Sequence, residues 1–464
     1  MRITFNGAAQ TVTGSQYVLE VNGQRLMLEC GMFQGKREAA FQRNRNIRVD
    51  AESIDAVILS HAHIDHSGNL PLLVKGGYRG KIYATPATDR MADLMLRDAA
   101  HIQESDTEYV NRKRERKGLP PVEPLYTVSD AAAVGGRLLP MKYGQEFEPV
   151  KGVTASLVEA GHILGSASIV LDVHEDGRKF RLWFSGDIGR YKLPLIKDPT
   201  LPEKADYLMM ECTYGDKLHP DPDEAYREFR QTVQATIKRG GKVVIPAFAV
   251  GRTQELVYDL NRMMAAREIP AVPVYVDSPL AVGITNVFKQ FPHYFDEETD
   301  SFVKCFKTVP LEFKSLHYVQ SVDESKAINN KPGPMIIISA SGMAETGRIL
   351  HHLRNNIEDP KNTILIVSWQ APYTLGRQLA ERARQIKIFG EPFERRAEVV
   401  TIGGLSAHAD QAMLVKYARA SQASLKQIFL VHGEPKGAFP LIEKIRDGQS
   451  TPIAYPDQYE SVEI

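Results

Sequence analysis

Val57-Ile-Leu-Ser60-His61-Ala-His63-Ile-Asp65-His66 joins a short apolar run to three imidazoles and a carboxylate. The run Ala56–Ser60 reads as a buried strand, and a helix is expected after His66. Four ligating side chains within six residues, released at a strand end, can all face one cleft. Imidazole and carboxylate suit Zn²⁺, and one tight loop can feed two adjacent ions. A solvated polar turn is the bland alternative, and the density of ligands speaks against it.

The same arrangement recurs along the chain. His162 stands in Glu159-Ala-Gly-His-Ile-Leu-Gly165, Asp187 in Phe184-Ser-Gly-Asp-Ile-Gly189, and His432 in Phe429-Leu-Val-His-Gly-Glu434, each just past a strand-like run. Singly, each reads more readily as a hydrogen-bonded core or turn residue. Together with the first cluster they supply five histidines and two aspartates, which suits a two-metal site with open positions. His174, His219 and His293 lie in polar or irregular contexts and read as surface residues.

The surrounding chain is compatible with such a site. It has 464 residues, 57 Lys+Arg against 57 Asp+Glu, and 3 cysteines. The balanced charge argues against a strongly basic, non-specific duplex binder. Three cysteines make no disulfide framework, so a reducing, cytoplasmic setting is expected. No apolar run approaches the roughly 18 residues of a membrane helix, and the N-terminus does not read as a signal peptide. The opening residues alternate apolar and polar, and Asn22-Gly23 is expected to join two strands in a hairpin. Residues 88–117 read as a helix ending in Arg112-Lys-Arg-Glu-Arg-Lys117. That basic run reads first as a solvated helix end, with contact to phosphates of a bound partner as the alternative. From about residue 205, buried strands alternate with amphipathic helices, which implies a parallel sheet. The first style returns near 396. Expected domains are therefore 1–204, an insert at 205–395, and 396–464.

The series HxHxDH, Gly-His, Ser-Gly-Asp and Val-His-Gly resembles the metallo-β-lactamase superfamily over nearly the whole chain. The resemblance implies an α/β fold, an αββα sandwich with two metals at one edge. It implies that His61, His63 and His162 hold the first metal, that Asp65, His66 and His432 hold the second, and that Asp187 bridges. Relatives with two irons usually carry glutamate at the second histidine; His63 here favours two Zn²⁺ over Mn²⁺ or Fe²⁺. Met210-Glu211-Cys-Thr-Tyr214-Gly215 and Leu405-Ser-Ala-His408-Ala-Asp410 resemble motifs of the β-CASP nucleases, as do Pro246–Arg252, Ser339–Met343 and Gly347–His352. That resemblance implies an inserted β-CASP domain on a parallel α/β sheet. It also implies RNA rather than DNA as partner and substrate, although some members cut DNA, and it leaves open endonuclease or 5′→3′ exonuclease activity in RNA processing or decay. It implies no membrane and leaves room for a homodimer.

The expected chemistry is a hydroxide held between two metals attacking the phosphodiester, with Asp65 counted among the catalytic residues. A histidine kept protonated by a carboxylate suits the leaving 3′-oxygen; Glu211 and His408 are the expected pair, against a bland reading as turn residues. Glu29 replaces the family's usual aspartate and is expected to support the metal loop from behind. Pro372-Tyr373 stand where many relatives carry acid-glycine. In the insert, Ser341, Gly342, Gly347, Arg348 and Arg252 are expected to cradle phosphate at helix starts, against the reading of an ordinary strand–helix turn. Glu345 has no evident role there. A small-molecule thioester or lactone hydrolase and an inactive RNA-binding scaffold are the rival functions. The long insert argues against the first, and the complete ligand set against the second.

Overall fold

Alternation of inward apolar side chains builds the first of two compact units. In strand Ala167–Glu175, Ala167, Ile169, Leu171 and Val173 enter the inner core, while Val170 faces the opposite side. Strands Arg2–Gly7, Gln16–Val21 and Gln24–Leu28 contribute Ile3, Phe5, Tyr17, Leu19, Leu26 and Leu28 to that core from a second sheet. Two seven-stranded sheets thus pack face to face. Each fully buried Leu, Ile or Phe contributes about 1.5–3 kcal/mol. The Asn22-Gly23 hairpin forms as expected, with both residues at positive φ. The computed structural model describes residues 1–35, 37–371 and 373–464.

Helices cover both outer faces. Gln411–Arg419 and Pro435–Arg446 pack Leu414, Tyr417, Leu441 and Ile445 against Val170, Trp183, Leu208 and Leu430. Pro86–Glu115 lies beside the other sheet. It starts two residues earlier than the expected 88, because Pro at the first turn lacks only an N–H that has no intrahelical partner anyway. The αββα sandwich is therefore present.

The second unit is a six-stranded, all-parallel sheet in the order Leu316–Val319, Val274–Asp277, Met335–Ser339, Lys242–Pro246, Thr363–Ile366, Glu398–Thr401. Its core gathers Ile337, Leu353, Ile357, Ile364 and Leu379. The units comprise residues 1–191, 198–218 and 408–464, and residues 192–197 and 219–407. The main segment of the second unit, 219–407, thus starts and ends later than 205 and 395. The reason is strand pairing: Tyr207–Glu211 is hydrogen-bonded between Arg178–Phe184 and Gln427–Val431, in the first unit. Glu398–Thr401 pairs with Thr363–Ile366 in the second. Within the last twenty residues, Ile453–Ala454 and Ser461–Glu463 add an edge strand to each sheet of the first unit. Edge strands this short leave no periodicity to read.

Candidate metal centre

The first unit releases its chemistry at strand ends. After Ala56–Ile58 the chain passes His61 and enters the helix Ile64–Ser67, with His63 at its N-cap. Backbone bonds clamp this loop: Ser15 donates to Asp65 O (2.8 Å), Cys30 to His66 O (2.8 Å), and Met32 to Ile64 O (2.8 Å). Gly31 is obligatory there, because a Cβ would lie 1.6 Å from the Asp65 carbonyl oxygen. His162 N–H donates to Ser166 Oγ (3.0 Å). His432 N–H donates to Ala8 O (2.7 Å), and His432 itself sits at positive φ.

These loops bring the donor atoms together. His61 Nε2 lies 3.0 Å from His63 Nδ1, which lies 3.2 Å from His162 Nε2. Asp187 Oδ2 is 3.5 Å from both His61 Nε2 and His162 Nε2. A second group joins Asp65, His66 and His432, with ligand atoms within 4.8 Å of one another. Asp187 reaches it too, 3.3 Å from His66 Nε2 and 3.3 Å from His432 Nδ1.

The donor set fits divalent cations. Burial and neighbouring imidazoles push His61 and His162 well below the usual histidine range, and burial pushes His63 down to about 4. Neutral rings therefore offer lone pairs to one another, which no proton can satisfy for all three. The buried Nε2 atoms of His66 and His432 have no hydrogen-bond partner among the described residues. Against the cost of burial, Asp187, Glu29 and Asp65 raise His66, so the carboxylates draw positive charge into the site. Against the same cost, surrounding imidazoles hold Asp187 and Asp65 ionised.

Supporting groups fix which nitrogen faces inward. Glu29 Oε2 bonds His66 Nδ1, and Glu29 Oε1 accepts from Ser60 N–H (2.6 Å). Its longer side chain still reaches both partners. Ser60 Oγ lies 2.8 Å from His61 Nδ1, and Thr213 Oγ1 lies 3.3 Å from His432 Nδ1 while donating to His432 O (3.0 Å). Sequence reasoning missed Ser60 and Thr213. The one signal each offered was its place, Ser60 directly before the first ligand and Thr213 two residues after Glu211.

Glu211 and His408 meet at the same centre. Strand Tyr207–Glu211 ends with Glu211 fully buried. Its Oε1 accepts from Ile188 N–H (2.6 Å), and its Oε2 is 3.2 Å from His408 Nδ1. Asp187 Oδ2 stands 3.9 Å from the same nitrogen. Against desolvation, Glu211 and Asp187 push the His408 ring up to about 9.

Known proteins show the same organisation. The Metallo-beta-lactamase superfamily matches residues 10–247, the Beta-Casp domain residues 253–379, and the Zn-dependent metallo-hydrolase RNA specificity domain residues 393–456. Ribonuclease TTHA0252 of Thermus thermophilus is 38% identical over 94% of this chain and 93% of its own length. This chain belongs to the metallo-beta-lactamase superfamily, in its Beta-Casp branch. Transcription termination factor FttA of Methanocaldococcus jannaschii is 30% identical over 96% of this chain and 69% of its own. The RNase J-like protein of the same organism is 31% identical over 93% and 92%. A crystal structure of a protein of unknown function from Enterococcus faecalis shares the fold, with TM-score 0.55 at 12% identity over 99% of both chains. The cluster is thus the divalent-metal site of a metal-dependent hydrolase.

The Beta-Casp residues expected to cradle phosphate are arranged differently. Arg252 does open the helix Arg252–Ala265, but its guanidinium is buried and bonded to Glu255. Arg348 Nη1 donates to Asp277 Oδ1 (2.7 Å) and Nη2 to Gln320 O (2.5 Å). Each of these arginines thus has a carboxylate partner within the unit. The helix Ile349–Asn356 offers no open amides at its start, because Ile349 N–H donates to Ala340 O (3.4 Å) and Leu350 N–H to Gly347 O (3.4 Å). Ser341 Oγ accepts from Glu345 and Thr346 N–H (3.2 and 3.3 Å). Gly342 and Gly347 serve packing: a Cβ would lie 3.0 Å from the Phe248 ring and 2.6 Å from Ala340 O respectively. Glu345 gains a role, accepting from Leu375 N–H (2.5 Å) at the first residue of the helix Leu375–Ala380. Pro372 lies outside the described residues, and Tyr373 beside it is exposed.

Proposed function

We propose that this protein is a ribonuclease that uses two zinc ions to hydrolyse RNA phosphodiester bonds. His61, His63 and His162 hold one ion, Asp65, His66 and His432 the other, and Asp187 both. Bound there, the ions activate water and neutralise the charge of the phosphate. The protein's own part is proton delivery and orientation. His408, kept protonated by Glu211, gives its proton to the leaving 3′-oxygen. Glu29, Ser60 and Thr213 hold ligand rings in register.

The observation that carries this reading is the His408–Glu211 pair, 3.2 Å apart and adjoining Asp187. A hydrolase of activated thioesters has less need of a strong acid for its leaving group. The RNA specificity domain match and relatives named as ribonuclease and termination factor support RNA as substrate. Free thiols at Cys30, Cys212 and Cys305 suit a reducing, cytoplasmic setting, and no helix among the described residues is long and apolar enough to cross a membrane. Endonuclease cutting with 5′→3′ exonuclease trimming is the proposed activity. RNA labelled at either end and incubated with the zinc-loaded protein should yield internal fragments, and mononucleotides from the 5′ end. A zinc-loaded protein that leaves RNA intact yet hydrolyses a lactone would overturn the reading.

A further inference from the structure

The helix Pro86–Glu115 is much longer than its packing requires. Its last buried residue is Ala100, so about four further turns project from the first unit. The chain returns along this projection and braces it. Asn111 and Val122 exchange two hydrogen bonds (2.9 and 2.8 Å), Arg114 Nε donates to Pro120 O (2.7 Å), and Val128 N–H donates to Glu104 (3.1 Å). The tip is therefore a fixed structure rather than a frayed end.

The tip groups exposed cations with an exposed aromatic ring. Arg25, Arg97, Arg181, Arg239, Arg354 and Arg377 are each held by a carboxylate. Lys113, Arg116 and Lys117 are exposed and form no ion pair among the described residues. Tyr109 and Lys113, four residues apart, share one helix face, and Arg116 and Lys117 follow just past the helix end at Glu115. Tyr109 is 51% exposed, with the Lys113 ammonium 4.3 Å from its ring centre. Arg112 differs, since it lines a cleft with Glu108 and Glu115. A favourable helix dipole accounts for one or two cations at this end. It does not account for an exposed aromatic ring on the same face.

We propose that Tyr109, Lys113, Arg116 and Lys117 form a second contact site for single-stranded RNA, remote from the metal centre. The cations take backbone phosphates, and the tyrosine takes a base by stacking. This rests on the reading that the substrate is RNA. The other end of the same helix adjoins the metal loop, where Thr85 and Thr88 hydroxyls donate to Gly165 O (2.6 and 2.9 Å). A 30-residue helix spans about 45 Å. At about 3.4 Å per stacked nucleotide, that is about 13 nucleotides from the cleavage site. The site would thus favour long substrates over short ones.

The test compares the parent with the triple variant Lys113→Gln/Arg116→Gln/Lys117→Gln, and separately with Tyr109→Ala, all zinc-loaded. Cleavage is followed on oligomers of about 6 and about 24 nucleotides, lengths that fall on either side of the estimated span. Three strand contacts carry a salt slope of about −2, so on the longer RNA the parent should lose roughly twentyfold more kcat/KM than the triple variant between about 50 and about 200 mM salt. Tyr109→Ala should weaken the longer RNA about fivefold or more. On the shorter RNA all three proteins should agree within about twofold. Equal salt slopes on the longer RNA, with the parent still cutting it, would overturn this inference alone and leave the tip to a protein partner. A parent that cuts neither RNA would instead remove the ribonuclease reading, and this proposal with it.

Discussion

The strand-end loops of the two units use similar residues to opposite effect. In the first unit, His61, Asp187, Glu211 and His432 leave their strands and converge with lone pairs facing lone pairs. In the second, Asp277 ends its strand fully buried and closes a network. Its Oδ1 accepts from Arg348 (2.7 Å), and its Oδ2 from Ser325 (2.5 Å) and His352 Nε2 (2.6 Å). The other ring nitrogen of His352 meets Asn329 Oδ1 (2.9 Å). Both clusters hold buried histidine and aspartate. What separates a binding site from a brace is whether the polar atoms satisfy each other.

The sharpest way to break that contrast is to remove the shared ligand. Asp187→Ala should strip both ions and lower RNA cleavage by more than about 100-fold, the upper range for merely supporting residues. Elemental analysis beside the cleavage rate checks it, and a variant that keeps both metals contradicts the bridging role. Next in size, His408→Ala or Glu211→Gln should keep the metals and lose about 10²–10⁴-fold in turnover. Cleavage at the parent rate would return the pair to ordinary turn residues.

Supporting residues should show smaller effects of a different kind. Glu29→Gln should weaken metal affinity about 10–100-fold, read by competition with a chelator, because His66 loses the partner that orients it. In the second unit the expected damage is to stability. Arg348→Ala should cost about 2 kcal/mol, less than a fully stranded buried charge, because His352 and Ser325 still serve Asp277. Despite burial, those three partners lower the Asp277 carboxyl below its usual range. Its contribution is therefore present above the unfolded value and lost as pH falls through the folded one. The variant should unfold at a higher pH than the parent during acid titration. It should also lose activity equally on RNA and on a small phosphodiester; a loss confined to RNA would restore the phosphate role. Smallest of all, Arg377→Ala breaks only the exposed pair with Glu381 and should shift stability by under about 0.5 kcal/mol.

The two clusters were also unequally legible in sequence. Four candidate ligands crowd into six residues after an apolar strand, a density few packing demands produce; His162, Asp187 and His432 were legible only through the motifs that resemble the family. Strands Lys242–Pro246, Met335–Ser339 and Gln427–Val431 were equally plain, being continuous apolar runs between helices. The insert boundaries were not, because the strand holding Glu211 looks the same whichever sheet accepts it. The surroundings of Arg348 were hidden for a related reason. An arginine after Gly347 at a helix start suits a phosphate, and only the fold reveals Asp277, 71 residues earlier, as its partner. The Ser60 and Thr213 contacts depend on ring orientation, which no spacing encodes.

Sheet order has a temporal consequence. Tyr207–Glu211 takes Gln427–Val431 as its neighbour, and His432 follows that strand directly. A ribosome making roughly 5–20 residues per second needs about 10–40 s to add the ~220 residues from Glu211 to His432. For most of that interval the nascent chain has His61, His63, Asp65, His66, His162 and Asp187 but neither His408 nor His432. The side chains that converge at the strand ends of the first unit are thus complete only after the whole second unit has been made.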